Sequence, residues 1–137
     1  MLALAAFPLG YKVRIFEPES HCPASLVTPF HTCANYEDDK ALIEFAKSCD
    51  VVTFEFENIP LGAATLIEKH AQLFPSSKAL ELTQDRLVEK EFIRSLGLKV
   101  APYRSVHNFE ELKYAISKIG PKGILKARML GYDGKGQ

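Results

Sequence analysis

Val51-Val52-Thr53-Phe54-Glu55-Phe56-Glu57-Asn58-Ile59-Pro60 opens as a β-rich run and closes as a charged turn before a proline. An apolar β-favouring run this short predicts a strand buried on both faces, as parallel sheets require. The residues around it have the helical period. Upstream, Asp38 or Asp39 can cap a helix over 39–49 whose Leu42, Phe45, Ala46 and Cys49 share one face. Downstream, a helix over 61–71 leads to a short strand at Leu73-Phe74, closed by Pro75. Strand, helix and strand in this order predict an α/β fold with an open, mostly parallel sheet and covering helices.

Further upstream, residues 1–8 read as an apolar helix with Gly10 as its stop. Lys12–Phe16 alternates like a strand. Residues 18–36 hold Pro18, Pro23 and Pro29 and read as loop, with a short strand near Phe30–Ala34. Past residue 76 the character changes. Residues 84–96 form a charged amphipathic helix with Val88, Phe92 and Leu96 stacked, and Gly97 provides a left-handed stop. Residues 102–106 read as a strand. Asn108-Phe109-Glu110-Glu111 resembles a capping box and opens a helix with Phe109, Leu112, Ile116 and Ile119 on one stripe. A strand over 123–128 follows. The domain boundary is expected near 76–84, dividing the chain into 1–75 and 76–137.

The 137 residues carry 17 basic and 17 acidic side chains. That neutral total gives no support to a nucleic-acid or anionic-membrane binder. It conceals a polarity. Residues 35–58 hold seven acids against two bases, net −5, and residues 120–137 hold four bases against Asp133, net +3. No apolar run reaches the roughly 18–20 residues of a membrane helix. The apolar start lacks a basic region and a cleavage site, so it is a poor signal peptide. Three cysteines, an odd and sparse set, predict free, mostly buried thiols in a reducing compartment. His21, Cys22, His31 and Cys33 have poor spacing for zinc, and no Ser-His-Asp or Cys-His arrangement stands out.

The chemistry concentrates at Ile124-Leu125-Lys126-Ala127-Arg128-Met129-Leu130-Gly131-Tyr132-Asp133-Gly134-Lys135-Gly136-Gln137. A strand would present Lys126 and Arg128 on one face. The glycines that follow can approach a ligand closely and present backbone N–H groups as an anion nest. GxGxxG and GxxxxGK[ST] are both absent. Two readings stay open from the residues alone: a phosphate site, and a glycine hairpin, for which Asp133-Gly134 is also a signal. At the end of the 51–54 strand, Glu55 and Glu57 face the same way. With Asn58 they suit either a site at the carboxyl end of the sheet or a brace for the turn. Phe54 and Phe56 read as core.

The 124–137 string resembles the ATP-binding strand and flexible glycine loop of the ATP-grasp enzymes. More narrowly, it resembles the N5-carboxyaminoimidazole ribonucleotide synthase family. Val52–Pro60 and Gln84-Asp85-Arg86-Leu87, with Lys90 following, agree in order and spacing, and the resemblance covers essentially all 137 residues. It implies a Rossmann-like pre-ATP-grasp domain over 1–75, followed by the beginning of an ATP-grasp domain over 76–137. It implies ATP-dependent joining of bicarbonate to 5-aminoimidazole ribonucleotide through carboxyphosphate, with Mg²⁺, in purine biosynthesis. It implies a cytoplasmic, homodimeric parent with no nucleic-acid or membrane partner. By matching motif, the ATP contacts are Arg86, Lys126, Gly131, Tyr132, Asp133, Gly134, Lys135, Gly136 and Gln137. Glu57 and Asn58 are the substrate candidates. No catalytic residue is assigned, and the metal ligands are expected outside the 137 residues. Met129 stands where relatives usually have a second basic or polar residue. The resemblance also implies an interior fragment, lacking a first strand with its glycine-rich turn and the later catalytic part. The alternatives are another ATP-grasp carboxylate-amine ligase and an inactive remnant that binds nucleotide weakly or not at all.

Overall fold

The computed structural model describes residues 1–131 and Gly136. It divides into two compact units, Met1–Leu80 and Glu81–Gln137.

The first unit begins with α1 (Leu2–Ala6), extended by a 3₁₀ turn at Phe7–Leu9. Gly10 ends it at φ +82°, a left-handed conformation that glycine adopts without a Cβ penalty. β1 (Ile15–Phe16) pairs in parallel with β2 (His31–Thr32). The loop between them buries Thr28, whose hydroxyl donates to the Val13 carbonyl (2.8 Å) and accepts from the Phe30 N–H (3.2 Å). Both its hydrogen-bonding roles are filled, so its burial carries no unpaired polar group. α2 (Asp39–Lys47) starts where Asp38 Oδ1 accepts the Ala41 N–H at 3.0 Å, satisfying one orphan donor of the first turn.

β3 (Val51–Val52), α3 (Leu61–Glu68) and β4 (Gln72–Leu73) then make a strand-helix-strand unit with parallel pairing, Val52 opposite Leu73. Leu42, Phe45 and Ala46 of α2, Ala63, Ala64 and Ile67 of α3, Val52, Ile59, Leu73 and Leu80 form one buried cluster. Fully burying a leucine such as Leu42 is worth about 1.5–3 kcal/mol. Ala46 and Ala64 have no exposed surface, and their small side chains let α2 and α3 approach closely. Leu80 enters from α4 (Ser77–Gln84), whose start is braced by Ser76 Oγ accepting the Ala79 N–H at 3.2 Å.

The second unit holds α5 (Arg86–Ser95) and α6 (Phe109–Ile119). Gly97 follows α5 at φ +78°, as its position predicts. At α6 the Asn108 half of the expected capping box is formed, but Glu111 reaches one residue further back than the box requires, to His107. Asn108 Oδ1 accepts the Glu111 N–H (2.9 Å), while Glu111 Oε2 accepts the His107 N–H (2.8 Å). The bond from the His107 ring to the same carboxylate is the main cause holding Glu111 below the usual carboxylate range.

Several expectations need correction. The sheet is two separate parallel pairs among the described residues. Val51 is 51% exposed although Val52 is buried, because alternate side chains face opposite ways and only the Val52 face is covered. Phe56 is likewise exposed, while Phe54 packs against the core. Of the cysteines, only Cys22 is buried. No strand forms at 102–106. There Tyr103 instead lies under Lys90 and Arg94, its ring centroid 5.3 and 5.9 Å from the cations. None forms at 123–128 either, because Arg86 has taken the Ala127 and Arg128 carbonyls that a ladder would need. The stripe on α6 is largely open, and Ala115 is its buried residue.

Candidate functional site

The N-terminal turn of α5 meets the segment that leads into the glycine loop. Asp85 is the N-cap of α5, and its Oδ1 accepts the Leu87 N–H at 2.8 Å. The same carboxylate receives the Arg128 guanidinium, Nε to Oδ1 at 3.1 Å and Nη2 to Oδ2. This two-point contact is the fork geometry that arginine offers and lysine cannot. The Arg128 bond is the main reason that the Asp85 carboxyl is held below its ordinary range and the guanidinium above its own.

Arg86 faces the backbone of the same segment. Its N–H donates to the Arg128 carbonyl (3.0 Å), its Nε to the Ala127 carbonyl (3.1 Å) and its Nη2 to the Gly131 carbonyl (2.9 Å). Nη1 makes no hydrogen bond among the described residues. The Ala127 N–H donates to the Gly136 carbonyl at 2.7 Å. Gly136 has φ +75°, and a Cβ there would lie 3.1 Å from that of Ala127. Leu130, inside the gripped stretch, is a non-glycine residue at φ +60°, a conformation costing on the order of 1 kcal/mol.

Lys126 and Arg128 therefore diverge. Arg128 is paired, while Lys126 is exposed and has no ion-pair partner among the described residues. Met129 is exposed beside them. Tyr132, Asp133, Gly134, Lys135 and Gln137 lie outside the described residues. The structure thus brings together Arg86, Gly131 and Gly136 with the backbone next to Lys126. Sequence reading did not find Asp85 as Arg128's partner. The signal was available only as an acid preceding Arg86, since 43 residues separate the pair.

In the first unit, Glu57 and Asn58 occupy the turn before α3, Glu57 exposed and Asn58 half-buried. Glu55 is engaged elsewhere, its Oε1 accepting the Leu2 N–H at the start of α1 (2.8 Å). The zinc candidates do not converge. The Cys33 thiol donates to the Pro18 carbonyl and His31 Nε2 contacts the Glu17 carbonyl. No group of three or more His, Cys, Asp and Glu gathers among the described residues. No described helix is long and apolar enough to cross a membrane.

Residues 1–84 match the ribonucleotide synthetase preATP-grasp domain family, and residues 91–137 match the ATP-grasp domain family. The chain belongs to the ribonucleotide synthetase preATP-grasp family. It is 47% identical over all 137 residues to the N5-carboxyaminoimidazole ribonucleotide synthase of Brucella melitensis, covering 38% of that protein. Among solved structures it resembles the N5-carboxyaminoimidazole synthetase of Staphylococcus aureus complexed with ADP. Identity there is 40% and the TM-score 0.90, over 99% of this chain and 36% of that one. It also resembles the Aspergillus clavatus enzyme complexed with ADP and 5-aminoimidazole ribonucleotide. Here identity is 27% and the TM-score 0.84, over 96% of this chain and 36% of that one. As a member of the family, the chain has a Rossmann-like pre-ATP-grasp domain followed by the start of an ATP-grasp domain. It spans between a third and two-fifths of the length of these relatives.

Proposed function

We propose that this chain is part of an ATP-dependent ligase that joins bicarbonate to 5-aminoimidazole ribonucleotide in de novo purine biosynthesis. The products would be N5-carboxyaminoimidazole ribonucleotide, ADP and phosphate. The carrying observation is the likeness over the whole chain, at 40–47% identity, to enzymes named for this reaction, one of them complexed with ADP. In this reading a bicarbonate oxygen attacks the γ-phosphorus and ADP leaves. The amine of the aminoimidazole then attacks the carboxyl carbon of carboxyphosphate, phosphate departs and the amine loses a proton. A cytoplasmic setting accords with the three free thiols.

The chain's own residues contribute to binding. Lys126 is a point charge for phosphate oxygens, and Nη1 of Arg86 is a further donor. The loop from Gly131 to Gln137, including Tyr132, Asp133, Gly134, Lys135 and Gly136, covers the phosphates and excludes water from the acyl phosphate. Glu57 and Asn58 are proposed to reach the ribonucleotide. Mg²⁺ fits this reaction, but the described residues do not converge on a metal site.

The test is ATP hydrolysis dependent on 5-aminoimidazole ribonucleotide and bicarbonate, measured on the full-length protein that carries this chain. Lys126→Ala should raise the ATP KM about tenfold or more, the order of one lost charge-assisted contact. An unchanged ATP KM removes Lys126 from the site, and no substrate-dependent hydrolysis by the wild type removes the reading itself. A second reading concerns the 137-residue polypeptide alone. Its coverage of only 36–38% of the length of the relatives favours a segment without ligase turnover. Substrate-dependent ADP formation by the isolated polypeptide would exclude it.

A further inference from the structure

We propose that Asp85 is a positioning residue for the segment 126–131 that leads into the glycine loop. It latches Arg128 to the start of α5, so that Arg86 can pin the backbone on both sides of Leu130, and Lys126 is left without an ion-pair partner among the described residues. The inference rests on the reading that this loop binds nucleotide phosphates.

Five hydrogen bonds carry it. Three leave Arg86 for the carbonyls of Ala127, Arg128 and Gly131. Two leave Arg128 for the two oxygens of Asp85. They are geometrically coupled. Asp85 and Arg86 are adjacent, so the carboxylate that draws Arg128 in also sets the distance from the Arg86 fork to the neighbouring carbonyls. The first-turn N–H of Arg86 would otherwise be an orphan donor of the helix end. Here it is spent on the Arg128 carbonyl, which ties helix to loop by main chain as well as side chain. Leu130 at φ +60° sits between the pinned carbonyls, a conformation that persists only where its surroundings over-determine it. The latch also changes what Arg128 can do. Its guanidinium is neutralised by Asp85 in a two-point contact, so a phosphate would have to break that contact to reach it. Lys126, two residues earlier, meets no such competitor among the described residues. The charge division that a strand would have prevented, with both cations on one face, is produced by the latch.

Asp85→Asn separates latch from cap. Asparagine caps a helix as well as aspartate does, so the Leu87 N–H keeps its acceptor while the charge on Arg128 is no longer met. In the full-length protein we expect Asp85→Asn to raise the ATP KM by about tenfold, the order of one charge-assisted bond, with kcat and the KM for aminoimidazole ribonucleotide within about twofold of wild type. Hydrogen exchange in peptides spanning 126–131 should accelerate by a similar factor, while peptides of α5 should not change. Arg86→Lys should accelerate the same peptides, because one ammonium cannot reach two separated carbonyls in the guanidinium geometry. Exchange of 126–131 unchanged in Asp85→Asn overturns the latch, whatever the kinetics show. Faster exchange with an unchanged ATP KM overturns the positioning role. If wild type shows no substrate-dependent ATP turnover, the reaction assignment has failed. ATP affinity by calorimetry then replaces KM: affinity lower in Asp85→Asn than in wild type supports the latch, and equal affinity overturns it.

Discussion

Each unit is held together internally by a different kind of interaction. Met1–Leu80 has a contiguous apolar core contributed by α2, α3, β3, β4 and α4. In Glu81–Gln137 the buried hydrophobic residue among those described is Ala115, while Phe109, Leu125 and Leu130 are all exposed. Its order comes from directional contacts instead: the Asp85 cap, the Arg86 and Arg128 bonds and the Asn108–Glu111 cap. Hydrophobic burial is non-directional and scales with area, whereas caps and ion pairs are worth about 1 kcal/mol each or less and depend on geometry and charge. The first kind makes a scaffold. The second leaves the 126–131 segment dependent on a few directional bonds.

Breaking the scaffold should have the largest effect. Leu42 is 1% exposed, and Leu42→Ala should cost about 2–5 kcal/mol, the range for a leucine truncated in a packed core. Denaturant unfolding of the first unit checks this. A loss under about 1 kcal/mol would mean that the cluster is not a rigid core. The helix caps of the second unit come next. Asn108→Ala should cost about 1 kcal/mol through the lost Glu111 N–H acceptor. Faster amide exchange confined to the first turn of α6 is the expected signature, with the first unit unaffected. Effects spreading through the chain would erase the contrast between the units.

The smallest effect is on pH dependence. Asp85 and Glu111 are both held below their ordinary range, Asp85 chiefly by the Arg128 bond and Glu111 chiefly by the His107 bond. Each therefore adds stability that is fully present above the unfolded value of about 4 and is lost as pH falls through the lower folded value. Through these two carboxylates the second unit should loosen below about pH 4. Asp85→Asn should remove part of that acid sensitivity. An equal acid response in wild type and variant would mean that the Arg128 pair contributes nothing measurable in solution.

Local signals were read well where they were short-range. Gly10 and Gly97 end their helices, Asp38 and Asn108 start theirs, and the parallel β3–β4 pairing follows from the β-helix-β order. Helix α4 was missed, because its residues lie where the change of character suggested a boundary. Ser76 as its cap and Leu80 as its apolar anchor were the available signals. The strand expected at 123–128 failed for a non-local reason: apolar alternation specifies a pleated surface only if the backbone finds a partner. In the candidate site, Lys126, Arg86 and the glycines stood out by type and motif. Arg86's engagement with carbonyls and Asp85's with Arg128 did not, because no pattern of spacing connects residues more than 40 positions apart.

By itself the sequence determined the α/β class, the helix ends, the family and the concentration of cations and glycines near residues 122–136. These follow from side-chain type and short spacing, which act through local backbone preference and periodicity. Only the tertiary structure decided which of Lys126 and Arg128 has an ion-pair partner among the described residues. Lys126 and Arg128 are equivalent by position along a strand, and they become different when the start of α5 places one carboxylate within reach of Arg128 and one guanidinium against the carbonyls beside it. Charge in a sequence can be counted, but its availability depends on which opposite charge the fold brings within hydrogen-bond distance.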